Sequence, residues 1–349
     1  MERRKQISVR HKFKQRPSRI SSHIKHLIYS SVPFLISLLF CLSPTQAQTD
    51  EYPSAQISNR HVVMKLYLPD PINGYYRATR FDWSGIIYSL EYQGHQYFGE
   101  WKASHDPLVH EDITGPVESF RGPGMGYDES EPGGEFIRIG VGILEKIEEP
   151  EYLWNQTYKI LDNGVWEVDQ GQDWIEFRHE LKSKAGWEYI YTKRIDLMKE
   201  IPGFSIKHTL KNTGQKTIET DQYNHNFFVI DGEITGPDFQ VEFPFNISTE
   251  DDLKDIAKID GNKLLFIRKL TEGSIWMVLK GYGEEAKDHQ IKIVNKKTGA
   301  GVRIQVDKPL HRLAFWATTT TLCPENFIFM KLAPGDEETW VSDYTLFLE

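Results

Sequence analysis

The chain has 349 residues, with 41 Lys and Arg against 50 Asp and Glu and only two Cys. Nine of the basic residues and one of the acidic ones fall within the first 47, so the remaining 302 or so carry 32 basic and 49 acidic groups, a formal net charge of about −17. A surface this acidic repels nucleic acid and anionic lipid, and an anionic polysaccharide would need a local basic patch to overcome the same field.

Arg3, Arg4, Lys5, Arg10, Lys12, Lys14, Arg16, Arg19 and Lys25 form a basic head, followed by an apolar run from about Leu27 to Leu42 and then by Ser43-Pro44-Thr45-Gln46-Ala47. That order predicts a secretory signal peptide cut after Ala47, and hence a secreted or periplasmic product. The alternative is an uncleaved signal anchor, against which the apolar run is short, since a span needs roughly 20 residues. With the leader gone only Cys323 remains, so no intramolecular disulfide can form and stability must come from a large core.

Past the leader, with no linker or low-complexity tract, residues 48–349 read as one domain. Short alternating segments separated by turn residues recur from Val62 to Leu348. His61–Leu68 reads as a strand stopped by Pro69-Asp70-Pro71. Gly85–Tyr92 and His95–Trp101 read as a pair joined at Gln93-Gly94. Trp166–Val168, Trp174–Leu181, Trp187–Tyr191 and Phe204–Leu210 continue as a meander. Only Thr249–Ile259, opened by Glu250, Asp251 and Asp252, suggests a short helix. The expected fold is therefore all-β, a large antiparallel β-sandwich. Aromatic residues make up 13% of the chain. Core packing accounts for many of them, and exposed Trp or Tyr platforms that stack on sugar rings are the sharper reading.

Three stretches carry a resemblance. Tyr223-Asn224-His225-Asn226-Phe227-Phe228 is similar to the Asn-His segment of aldose 1-epimerases (galactose mutarotases), in which that His is the general acid. Gly301–Asp307, Leu313–Trp316 and Thr321–Asn326 resemble the strands that lead to the family's Glu-containing turn, where Glu325 takes the place of the general base. Leu332-Ala333-Pro334-Gly335-Asp336-Glu337 is similar to the family's closing turn. Together these cover roughly residues 195–349, and the resemblance implies a galactose mutarotase-like supersandwich acting on a sugar or oligosaccharide. The N-terminal half departs from the pattern: no His-Gly pair occurs anywhere in the chain, and Gly115–Gly124 stands where it belongs. His110 or His105, on the loop Ser104–Asp112, would take over the role of the missing second histidine.

The chemistry that the resemblance implies needs an acid at the ring oxygen and a base at the anomeric hydroxyl, exchanging roles as the ring opens and closes. His225 and Glu325 are the catalytic candidates. Arg80, His110, Glu118, Arg121 and Asn224 are the substrate-binding candidates, the arginines because a guanidinium can bind hydroxyls bidentately. For Asp82-Trp83 core packing is the default reading and a sugar platform the alternative. His105 and His110, with Asp106, Glu111 and Asp112, form too loose a pattern to predict a metal. Gly122, Gly124 and Gly126 lack the Lys and following helix of a phosphate loop, and no cofactor is expected. The same His and Glu would also serve a glycoside hydrolase or a lyase, and a non-catalytic sugar-binding sandwich is the alternative outside enzymology.

Overall fold

A computed structural model describes residues 52–120 and 122–349. The proposed leader, residues 1–47, and Arg121 lie outside the described residues. The fold is all-β: the described residues form 22 strands in four sheets, every pairing antiparallel, and one 3-10 turn at Ala286–Asp288. The largest sheet has ten strands. Within it Glu337–Leu348, Gly203–Asn212, Glu188–Leu197 and Trp174–Lys182 lie side by side. The second sheet has five strands in the order Ile275–Leu279, Arg312–Ala317, Leu322–Leu332, Ile218–Phe227, Gly115–Phe120.

These two sheets stack face to face. Period-2 alternation sends Phe204, Ile206 and Leu210, with Trp340, Tyr344 and Leu346, to the inner side of the large sheet, all buried. Tyr344 Oη donates to Asn226 Oδ1 of the small sheet at 2.8 Å, and Phe204 stacks on Tyr344 at 4.5 Å. One apolar cluster runs from Ile57 to Leu346 and ties the small N-terminal sheet, Ser54–Gln96, into the same core. Burying such aromatic and branched side chains stabilises the fold by about 1.5–3 kcal/mol for each one removed from water.

Two expectations need correction. Thr249–Ile259 is not helical: Lys254 and Asp255 sit at φ of 53° and 51°, which breaks a right-handed helix, and Ala257–Asp260 pairs as a strand. The acidic groups that suggested an N-terminus are used elsewhere, Asp251 accepting from the backbone N–H of Val278 at 2.7 Å. The strand expected over His95–Trp101 covers only His95–Gln96. Beyond it the chain turns to a new partner, with the Val229 N–H donating to the Tyr97 carbonyl and the Asp231 N–H to the Gln96 carbonyl.

Candidate active site

The site forms on the face of the five-stranded sheet turned away from the large sheet. Along Ile218–Phe227 the alternation splits two sets of side chains. Tyr223, His225 and Phe227 point to the outer face, while Gln222, Asn224 and Asn226 point inward to the core. On the neighbouring strand Glu325 lies directly opposite His225 in register, and on the next strand Ala314 lies opposite Glu325. Opposed residues in antiparallel strands share a face and stand about 5 Å apart. His225 Nε2 therefore meets Glu325 Oε1 at 3.2 Å, with side-chain exposures of 5% and 9%.

Burial disfavours the charged form of each group, and their attraction opposes it. For Glu325 the attraction wins: His225, Arg80 and Arg312 hold its carboxyl below the ordinary 4.5. For His225 burial wins and pushes the imidazole below 6.5, with Arg80 adding to the effect against the pull of Glu325. Near neutrality Glu325 is thus the charged member, accepting a hydrogen bond from the Nε2–H of a neutral imidazole. His225 Nδ1 is buried without a hydrogen-bond partner among the described residues, which fits the same tautomer.

Above the pair opens a cavity of about 410 Å³, lined by Arg80, Glu111, Trp154, Phe227, Ser274, Trp276 and Trp316. Its size lies in the range of small-molecule sites, roughly 300–1,000 Å³. Trp276, on the edge strand, and Trp316, on the strand beside it, are cross-strand partners, and Trp276 is 43% exposed. On the opposite side Trp154, 54% exposed, covers the Arg80 guanidinium at 4.6 Å. Phe81 lies at the same distance from that guanidinium, and Arg80 Nη2 donates to the Tyr223 hydroxyl at 3.4 Å. A polar pair on the floor, an arginine on one wall and tryptophan faces around it make a cavity suited to a ring with an apolar face and hydroxyl edges.

The structure brings His225, Glu325 and Arg80 together and places His110 beside them. The His110 ring meets Trp154 edge-on at 5.1 Å, and its Nε2 lies 3.7 Å from Glu111 Oε2. Burial and Arg80 lower its basicity. His105 is elsewhere, stacked on Tyr75 at 3.8 Å. No cluster of three or more His, Cys, Asp or Glu able to hold a metal occurs among the described residues.

Glu118 and Asn224 are corrections. Both sit one residue out of phase with the site face and point between the sheets. Glu118 is fully buried and accepts from Lys193 Nζ at 2.5 Å, His208 Nε2 at 2.9 Å and Asn224 Nδ2 at 3.1 Å. Trp83 is likewise a core residue, its Nε1–H donating to the Ala78 carbonyl, and Asp82 is buried against Ser84. Sequence reasoning missed Glu111, Trp154, Ser274, Trp276 and Trp316 as lining residues. For Trp276 a signal existed: in Ile275-Trp276-Met277-Val278-Leu279 the tryptophan occupies the outward phase between buried Ile275 and Met277.

Gly115 lets the loop carrying Glu111 enter the sheet. It adopts φ of 78°, and a Cβ there would lie 2.4 Å from the Ile87 carbonyl oxygen. Within the loop Lys102 binds both Glu111, at 2.9 Å, and Asp112. Trp101 stacks on Phe227 at 5.7 Å, anchoring the loop to the strand that bears His225.

No protein family matches the sequence by profile, and no curated protein matches it. Solved structures do. The Slr1438 protein of Synechocystis sp. PCC 6803 aligns at 12% identity and TM-score 0.55, covering 86% of this chain and 97% of that one. The aldose epimerase homologue of C. elegans aligns at 14% and 0.52, covering 84% and 98%. A galactose mutarotase-like protein of Lactobacillus casei aligns at 11% and 0.51, covering 84% and 100%. At such identities the likeness speaks for the architecture, and the chain has the galactose mutarotase-like β-sandwich fold.

Proposed function

We propose that this chain is an exported carbohydrate-active enzyme of aldose 1-epimerase type, with His225 as acid and Glu325 as base on a sugar ring. The observation that carries the reading is the His225–Glu325 pair, 3.2 Å apart on the floor of a tryptophan-walled cavity beside Arg80. Export rests on the basic head and apolar run that precede Ala47.

A pyranose lying against the tryptophans presents its ring oxygen and anomeric hydroxyl, both bonded to the same carbon, to two groups that are themselves neighbours. The ring displaces the direct His–Glu hydrogen bond. Glu325 takes the anomeric hydroxyl proton while the His225 imidazolium protonates the ring oxygen, and the C1–O5 bond breaks to leave an open-chain aldehyde. Rotation about the bond to C1 turns the other carbonyl face toward the ring-closing hydroxyl. On closure neutral His225 recovers the proton and Glu325 returns its own to the new anomeric oxygen. Arg80 holds the Glu325 charge and donates to ligand hydroxyls. Positioned proton transfer of this kind contributes about 10²–10⁴-fold.

The test is anomer exchange by NMR on purified protein, across free hexoses, pentoses and uronic acids, with His225→Ala and Glu325→Gln beside it. Exchange above the buffer rate, lost in both variants, is the expected result. Binding without exchange, unchanged in both variants, would refute the catalytic assignment and leave a sugar-binding sandwich.

A further inference from the structure

A second cavity, of about 380 Å³, lies beyond Arg80 and is lined by Ser119, Arg138, Tyr152 and Tyr223. It shares Arg80 and Trp154 with the first, so the two hollows meet across one arginine and one indole. Elsewhere Arg178 pairs with Glu167 and Glu180, and Arg194 with Glu176 and Asp196. Arg80 and Arg138 form no salt bridge among the described residues. In a chain where acid outnumbers base 49 to 32 beyond the leader, two arginines that line one cavity without a carboxylate pair are placed to receive an anion from outside.

Their hydrogen bonds sharpen the point. Arg138 donates to the carbonyls of Gly122 and Arg80, the latter at 2.8 Å, and Arg80 Nη2 donates to the Tyr223 hydroxyl. These partners are neutral, so they fix the guanidinium planes and leave the positive charges uncompensated on the second-cavity side. On the first-cavity side Glu325 offsets part of the Arg80 charge. Aromatic surface is present as well: the Arg138 guanidinium lies 5.8 Å from the Tyr152 ring, and Tyr223 presents its hydroxyl beside Arg80. A positive pocket with flat apolar walls matches a sugar ring that bears an anionic group, and oriented guanidinium forks favour a planar carboxylate.

We propose that the cleft extends past Arg80 into a second subsite for a negatively charged sugar ring, making the preferred ligand an acidic oligosaccharide of uronate type. The inference deepens the carbohydrate reading above and rests on it for the first ring. It also supplies the local basic patch without which so acidic a protein would repel such a ligand.

The experiment is calorimetric titration of the full mature chain with digalacturonate, a neutral digalactoside, a singly sulfated digalactoside and the corresponding monosaccharides, at low and high salt. Digalacturonate is expected to bind at least about 10-fold more tightly than the neutral disaccharide, the gap shrinking as salt screens the charges. It should also bind more tightly than galacturonate alone. Arg138→Gln should close most of the gap and Arg138→Lys should keep part of it. If Arg138→Gln fails to fold, the salt dependence and ligand ranking of the native chain decide alone. Tightest binding by the sulfated sugar would keep the subsite and make sulfate its anion. Equal affinity for acidic and neutral disaccharides, or no gain from the second ring, would overturn the proposal. Anomer exchange is read separately: a preference for digalacturonate without exchange sinks the epimerase reading alone, and exchange without that preference sinks this one alone. Failure of every sugar to bind sinks both.

Discussion

Replacing Glu118 or Lys193 tests whether the charged centre of the sandwich is structural. Both side chains have zero exposure, and the ion pair closes at 2.5 Å. Without the carboxylate, Lys193 would keep one neutral partner, the Ser84 carbonyl at 2.9 Å. Without the ammonium, the carboxylate would keep only His208 and Asn224. Breaking a buried pair from one side costs about 3–5 kcal/mol, because the other charge stays buried without its counter-ion. Glu118→Gln and Lys193→Met should each lose that much, a fifth or more of a stability of about 5–15 kcal/mol. The double variant removes both charges and should lose far less than the sum, giving a coupling of at least about 3 kcal/mol. Urea unfolding followed by tryptophan fluorescence and circular dichroism measures all four corners of the cycle. Single losses below about 1 kcal/mol, or additivity, would refute the reasoning. The cycle also separates the two readings of Glu118. A residue that holds the fold leaves the sugar affinity of the folded variant unchanged, whereas a ligand-binding carboxylate loses affinity at unchanged stability.

Further outcomes follow from the same geometry. The acid–base state needs Glu325 ionised and His225 protonated; both groups titrate below their ordinary values of 4.5 and 6.5, so exchange should peak on the acid side and decline through neutrality, and a rate flat or rising to pH 8 would contradict this. Asp82 is pushed up to about 7 by burial against an ordinary 3.8. A folded-state value above the unfolded one means that the folded chain holds the extra proton between these limits, so stability falls as pH rises through that window; Asp82→Asn should flatten this slope in urea unfolding at pH 4 and pH 7.5. Removing the outward tryptophan in Trp276→Ala should weaken sugar binding by about 2- to 12-fold in titration calorimetry, the size of one aromatic contact. Gly115→Ala should cost about 1–3 kcal/mol in thermal or urea unfolding, from its left-handed backbone and the Ile87 carbonyl in its path.

The strands of the meander were legible because one face of each is buried. Glu188–Leu197 alternates without a break, and Tyr189, Tyr191, Ile195 and Leu197 mark its inner side. The same rule misleads at Lys193, a core position whose charge is met by Glu118 from another sheet, more than seventy residues earlier in the chain. His225 and Glu325 were legible as separate motifs, but nothing local in the sequence states that they stand opposite one another. That follows from a pairing of strands a hundred residues apart. Trp154 lies on an irregular segment between strands, where no period exists to say which way a side chain points. Glu111 belongs to a loop whose path depends on Lys102 and on the contact of Trp101 with Phe227. The helix expected at Thr249–Ile259 failed because carboxylates near a candidate N-terminus serve equally well as turn acceptors.

One strand separates the chemistry of the cleft from the chemistry of the core. In Gln222-Tyr223-Asn224-His225-Asn226-Phe227 the odd-numbered residues build the cavity, and the even-numbered ones carry amides into the network around Glu118 and Tyr344. A slip of one residue would exchange the two sets, placing an imidazole against Glu118 and amides beneath the tryptophans. The buried network opposes that slip, because Asn224 meets Glu118 and Asn226 meets Tyr344 in only one register. On the other flank Asn226 Nδ2 donates to the Pro324 carbonyl at 2.8 Å, fixing this strand against the one that bears Glu325. The 3.2 Å approach of His225 to Glu325 is thereby set by polar contacts on the opposite face of the same sheet. If His225 acts as proposed, changes to Asn226 should lower the exchange rate more than sugar affinity, without touching the ligand.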